Sequence, residues 1–137
     1  MKTKIILGLA FLLTLSCNKY EEGRWICLKS KKERVANTWQ LEEYRINGVD
    51  VTAKYKAINY TEKYNKAGEF EISANNETRD GQWEFISEAR CMRRFGMEGI
   101  PTRTLIITRL TEKEFWYYYM LETEDDQHER HEIHLKD

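Results

Sequence analysis

Phe115-Trp116-Tyr117-Tyr118-Tyr119-Met120-Leu121 is the stretch whose reading decides the fold. Aromatic residues pack well on a pleated sheet surface and favour strands. Successive side chains of a strand point to opposite faces, so Phe115, Tyr117, Tyr119 and Leu121 share one face and Trp116, Tyr118 and Met120 the other. A strand that is apolar on both faces suits a barrel wall. One face looks into the interior, and the other is covered by a neighbour or by the N-terminal segment.

Moving outward, Thr111-Glu112-Lys113-Glu114 reads as a tight turn, preceded by a strand over 102–110 centred on Leu105-Ile106-Ile107. On the other side an acidic turn over 122–127 leads to a closing strand over 128–135. Upstream, residues 82–87 form a strand carrying Trp83, Phe85 and Ile86, and Asp80-Gly81 either turns or bulges the chain. Residues 69–73 alternate, with Phe70 and Ile72 on one face, and Asn75-Asn76 marks a polar turn. Asn65-Lys66-Ala67-Gly68 is a further turn, after a stretch over 57–64 rich in β-branched and aromatic residues. Asn47-Gly48 is the strongest short hairpin signal, because both residues tolerate positive φ. It separates a first strand from Thr38 to Ile46, carrying Trp39 and Leu41, from a return through Val49, Val51 and Tyr55. Residues 88–101 form the longest irregular stretch. Before the strands, Ser30 and Glu33 have capping-box spacing and predict one short helical turn.

The expected class is all-β: an antiparallel up-and-down meander of seven or eight short strands. Closure into a barrel rather than an open sandwich removes the exposed edges.

Composition sets the outer limits. The chain has 137 residues, room for one domain, and charged residues make up 33% of it. With a mean hydropathy of -0.73 this excludes a multi-span helical membrane protein. Aromatics at 12% exclude a disordered chain, which lacks them. A net charge of -1 gives no reason to expect nucleic-acid binding.

The charge is unevenly spread. Residues 1–17 carry two lysines, Lys2 and Lys4, and no acid. Without them 20 basic residues face 23 acidic ones, a net of -3. The two lysines precede an apolar run over 5–15, which is the layout of a secretory signal peptide and too short to span a bilayer. Leu13-Thr14-Leu15-Ser16-Cys17 resembles the lipobox of bacterial lipoproteins. The resemblance implies cleavage before Cys17, acylation of its thiol and amino group, and a cell-envelope protein anchored to a membrane, at the outer membrane. Residues 18–32 then read as a tether. Cys27 and Cys91 remain, and in an oxidising compartment they either pair as a disulfide or stay as two buried thiols.

Val35-Ala36-Asn37-Thr38-Trp39-Gln40-Leu41 follows the helical turn and places a tryptophan on the first strand. Gly81-Gln82-Trp83-Glu84-Phe85 and the segment from Leu105 to Phe115 follow in order. Together with the leader these motifs resemble lipocalin-like lipoproteins of the Bacteroidetes type, across about residues 33–137. The resemblance implies an open-mouthed barrel binding a small apolar or amphipathic ligand.

Three sets of residues are candidates for function. The aromatics Trp39, Trp83, Phe115, Tyr117 and Tyr119 either fill the barrel or line a pocket in it. Arg90, Arg93 and Arg94, in the long irregular stretch, either contact an anion and gate the mouth or pair with nearby acids. His128, His131 and His134 cannot share one metal on a strand, since His131 faces away from the other two. With no nucleophile elbow, no catalytic triad order and no phosphate-binding loop, the sequence points to a non-enzyme without cofactor or metal. The alternative to a ligand binder is a filled barrel serving as a subunit of an envelope complex, with the aromatic face of 115–121 as its contact patch.

Overall fold

The computed structural model describes residues 30–137. The leader, Cys17, Cys27 and residues 18–29 of the expected tether lie outside the described residues. The elements run α1 Lys31–Val35, β1 Thr38–Ile46, β2 Val49–Asp50, α2 Thr52–Ala57, β3 Thr61–Tyr64, β4 Glu69–Ala74, β5 Glu77–Ile86, β6 Cys91–Phe95, β7 Arg103–Leu110, β8 Glu114–Glu122 and β9 His128–Lys136.

All the strand pairings are antiparallel, and each strand from β3 to β8 pairs with the next in sequence. β1 joins β3 on one edge and β9 on the other, with Leu41 opposite Leu135 and Tyr44 opposite Ile133. The sheet therefore closes as an eight-stranded up-and-down barrel, and β2 is a two-residue flap on the end of β1. Two register shifts, between Leu41 and Glu43 and between Ile107 and Arg109, change the phase of their strands. Each bulge lets residues on both sides of it point inward: Trp39, Leu41 and Tyr44 on β1, and Leu105, Ile107 and Leu110 on β7.

The aromatic strand behaves as its alternation requires. Phe115, Tyr117 and Tyr119 are buried inside, while Trp116 and Tyr118 face outward. The Asn47-Gly48 turn has φ of 50° and 79°, the left-handed pair that a two-residue hairpin demands.

Four sequence expectations are corrected. The return strand after Gly48 stops at Asp50, and Tyr55 lies in α2. The Thr52 amide donates to Asp50 Oδ1 at 2.9 Å and its Oγ1 accepts from the Tyr44 amide, which turns the chain into a helix. Val51, Tyr55 and Ile58 have the i, i+4, i+7 spacing of a helix face. Consequently the strand over 57–64 shrinks to β3. Residues 88–101 are not one irregular stretch, because they contain β6, whose Met92 and Arg94 point inward. Asp80-Gly81 neither turns nor bulges the chain, for β5 pairs regularly through it. Gly81 is there for space: a Cβ would stand 2.7 Å from the Phe95 carbonyl and 2.8 Å from the Phe70 ring. The helical turn expected from the spacing of Ser30 and Glu33 is α1. The Glu33 amide donates to Ser30 Oγ at 3.2 Å, and the Ser30 amide donates to Glu33 Oε2 at 2.8 Å. That capping box starts α1 at the edge of the barrel.

α1 closes one end. Val35 is fully buried, and the Trp39 indole donates to the Val35 carbonyl at 2.9 Å. Arg34 reaches across to the Leu110 carbonyl at 2.9 Å. Trp39, Leu110, Phe115 and Leu135 pack beneath it with no exposed surface.

Candidate functional site

The opposite end of the barrel is open. There β3 starts, β6 ends and β7 starts, α2 lies to one side, and the connection over 96–102 lies to the other. A cavity of about 200 Å³ opens between them. Tyr44, Tyr55, Tyr60 and Tyr119 form much of its wall, Met97, Ile100 and Pro101 its rim, and Phe70 and Arg94 lie deeper. Tyr55 is held in place by Tyr44 and Tyr60, with ring centroids 4.4 and 5.9 Å away. The 96–102 connection can bend over the mouth because Gly96 and Gly99 adopt φ of 74° and 72°, where a side chain is disfavoured.

Below the cavity stands a carboxylate with no exposed surface. Glu62 points inward from β3 and accepts hydrogen bonds from Tyr60 Oη at 2.5 Å, Tyr64 Oη at 2.6 Å and Tyr117 Oη. Arg94 Nη1 lies 3.4 Å from Glu62 Oε2 and donates to Tyr64 Oη at 3.1 Å. A buried carboxylate is tolerated when paired and fully hydrogen-bonded, and this one has three hydroxyls and a guanidinium. Burial, then the charge of Glu62, pushes the Tyr60, Tyr64 and Tyr117 hydroxyls well above the usual tyrosine range. They therefore stay protonated and remain donors.

A second polar group lies beside the cavity. Tyr44 Oη is 2.6 Å from His131 Nδ1 and 3.3 Å from Tyr119 Oη. His131 Nε2 is 2.5 Å from Glu129 Oε1, and its ring stacks on Tyr119 at 4.9 Å. Burial also drives the Tyr44 hydroxyl far above its ordinary range.

The structure separates the residues that the sequence grouped. Of the five aromatics only Tyr119 lines the cavity. Trp39 and Phe115 pack the closed end with centroids 5.8 Å apart, and Tyr117 belongs to the Glu62 group. Trp83 packs edge-on against Tyr64 and Phe85, and its indole donates to the Asn65 carbonyl at 3.1 Å. The three arginines do not form one anion-contacting loop. Arg90 sits in the turn before β6, Arg93 points outward to Glu84, and Arg94 is buried. Strand alternation alone divides Arg93 from Arg94.

Cys91 is half-buried and, among the described residues, a free thiol; it alternates with the inward Met92, so it faces the outside of the barrel. His131 points inward while His128 and His134 point outward, as a strand requires. Among the described residues no three His, Cys, Asp or Glu side chains are placed to hold a metal.

Tyr44, Tyr55, Tyr60, Glu62 and Arg103 are site residues that sequence reading did not single out. The alternation of Glu62 and Tyr64 on β3 was the one available signal, hidden by the assignment of 57–64 as one strand. A larger groove of about 520 Å³ crosses the outside of β3–β5 past Lys63, Glu69, Glu71 and Asp80. Its lining is mostly polar, whereas ligand sites are mostly apolar and carry few converging polar groups. The mouth has that character and the groove does not.

Neither a scan against protein-family models nor a search of curated proteins finds a match for this chain. Its functional reading therefore rests on the barrel and on what stands at its mouth.

Proposed function

We propose that this protein is a lipid-anchored, lipocalin-like binding module of the bacterial cell envelope, held at the outer membrane through Cys17, that carries a small amphipathic ligand in its barrel mouth. One observation carries the binding part: the 200 Å³ cavity at the end opposite α1, walled by aromatic rings over a polar base. An apolar cavity of about 150 Å³ accepts benzene, and drug-sized sites begin near 300 Å³. The mouth therefore suits a ligand of about one ring. The anchor rests on the lipobox-like segment before Cys17 and on the short apolar leader. No helix among the described residues is long and apolar enough to cross a membrane.

The filled-barrel subunit is less well supported. Its contact face on β8 is interrupted: Trp116 is stacked by His134 at 4.1 Å and capped by Arg109, and Arg130 sits 3.8 Å over Tyr118. The protein acts as a binder without catalysis or cofactor.

Native mass spectrometry of the full chain, extracted from bacterial membranes, tests the proposal. The expected result is the mass of the acylated protein plus a small molecule, and release of the Cys17→Ser variant from the membrane fraction. A bare mass at every extraction condition, with no small aromatic compound retained on titration, overturns the binding role. Membrane retention of Cys17→Ser overturns the anchor.

A further inference from the structure

Arg94 and Arg103 are directly opposed across the β6–β7 pair, and both face the cavity. Like charges opposite one another on a sheet destabilise it unless something neutralises them. Arg94 has its counter-ion in Glu62. Arg103 has none among the described residues: its guanidinium lies 4.9 Å over the Tyr119 ring, and its Nη1 is buried without a hydrogen-bond partner. The other carboxylate on this side, Glu129, is turned to His131. A buried guanidinium nitrogen without an acceptor is costly. Arg34 Nε at the closed end is another such nitrogen, but of the two only Arg103 lines a cavity with room for an acceptor.

We infer that the mouth is selective for a small aromatic or similarly compact monocarboxylate, with Arg103 as its counter-ion and the tyrosine walls around its apolar body. The inference rests on the binding role proposed above and names the class of ligand. Charge decides for a monoanion, since one negative charge balances the one unpaired guanidinium and a second would be buried without a partner. Shape decides for a carboxylate, whose two oxygens match the planar fork of arginine. Volume decides for a single ring. Arg94 closes the base of the site, already committed to Glu62. Met97, Ile100 and Pro101 on the rim exclude water from the ion pair, which strengthens it.

Calorimetric titration of the full chain with phenylacetate and with its uncharged analogue phenylacetamide tests the assignment. Phenylacetate is expected to bind, and phenylacetamide to bind about 10- to 100-fold more weakly, the ratio a charge-assisted hydrogen bond supplies. Arg103→Met is expected to lose the preference for the acid while still binding the amide, and Arg103→Lys to keep part of it. Because Arg103 has no counter-ion among the described residues, and the Met side chain can still pack on the Tyr119 ring, Arg103→Met is expected to melt no lower than the parent. Equal binding of acid and amide, or an acid preference that survives in Arg103→Met, overturns the carboxylate site and leaves the binding role standing. A marked fall in Tm for Arg103→Met makes Arg103 a structural residue and also overturns the site. Binding of neither compound removes the binding role and this inference together.

Discussion

The two ends of the barrel are built from the same kinds of residues and do opposite things. At the closed end Trp39, Phe115, Leu110 and Leu135 interlock under α1, and the Trp39 indole and Arg34 Nη1 donate to backbone carbonyls, while Arg34 Nε is buried without a partner and faces packed side chains rather than a cavity. At the open end Tyr44, Tyr55, Tyr60 and Tyr119 stand around a space they do not fill, and one buried Arg103 nitrogen is unpartnered. Between them the Glu62 group acts as a polar floor. The difference teaches that aromatic content alone does not separate core from pocket. A ring becomes core when a neighbouring element covers the barrel end above it. At the closed end that cover is α1, five residues whose capping box fixes where it begins.

Substitutions can break this contrast, and the largest effect is expected at the closed end. Trp39→Ala empties a fully enclosed site and is expected to cost about 3–5 kcal/mol, whereas Met97→Ala on the rim should cost about 1 kcal/mol. Urea unfolding of both variants measures the ratio. Comparable losses would mean that the mouth is packed as tightly as the closed end.

The next effect concerns the floor. Glu62→Met leaves Arg94 buried and unpaired, with an expected loss of about 3–5 kcal/mol, because removing one partner strands the other's charge. The double variant Glu62→Met, Arg94→Met removes both charges and is expected to recover most of the loss. Thermal unfolding of single and double variants decides it. A double variant as unstable as the single would show that the pair's worth lies in its hydrogen bonds to the tyrosines rather than in charge balance.

The smallest effect is at the start of α1. Ser30→Ala removes the cap and is expected to cost about 1 kcal/mol. The partner in that cap, Glu33, has its carboxyl held below the usual range by the Ser30 backbone and side-chain hydrogen bonds, then by Lys66. A depressed carboxyl favours the folded state only while ionised. Its contribution is therefore present above the ordinary glutamate range and fades as the pH falls through the lowered value. Acid unfolding curves of the parent and Ser30→Ala should converge in that window. Curves that stay parallel to low pH would show that the cap adds nothing through Glu33.

Much of the barrel was legible in the sequence. The alternation of residues 115–121, the Asn47-Gly48 turn and the Ser30 to Glu33 spacing each fix local geometry through one chain segment, and each holds. What failed was legible only as composition. Residues 88–101 look irregular because they hold Arg90, Arg93, Arg94 and two glycines, yet β6 runs through them, since Arg94 finds Glu62 from a strand that is distant in sequence. α2 was missed because a helical spacing of three residues, Val51, Tyr55 and Ile58, is too short to stand out from β-branched neighbours. The site suffered most. Glu62 reads as one more charge in a polar chain, and nothing local shows that three hydroxyls converge on it.

By itself the sequence determined an all-β meander, the strands that face inward at its aromatic end, and the start of the cap. Those are local properties: side-chain alternation has a fixed period, and turn residues have fixed dihedral preferences. Tertiary structure decided which aromatics are core, which end is open, and that Arg94 and Arg103 stand side by side with the Glu62 carboxylate paired to Arg94 alone. Those depend on register and closure. In a closed sheet a shift of one residue turns every side chain to the other face, so only the assembled barrel brings these charges together.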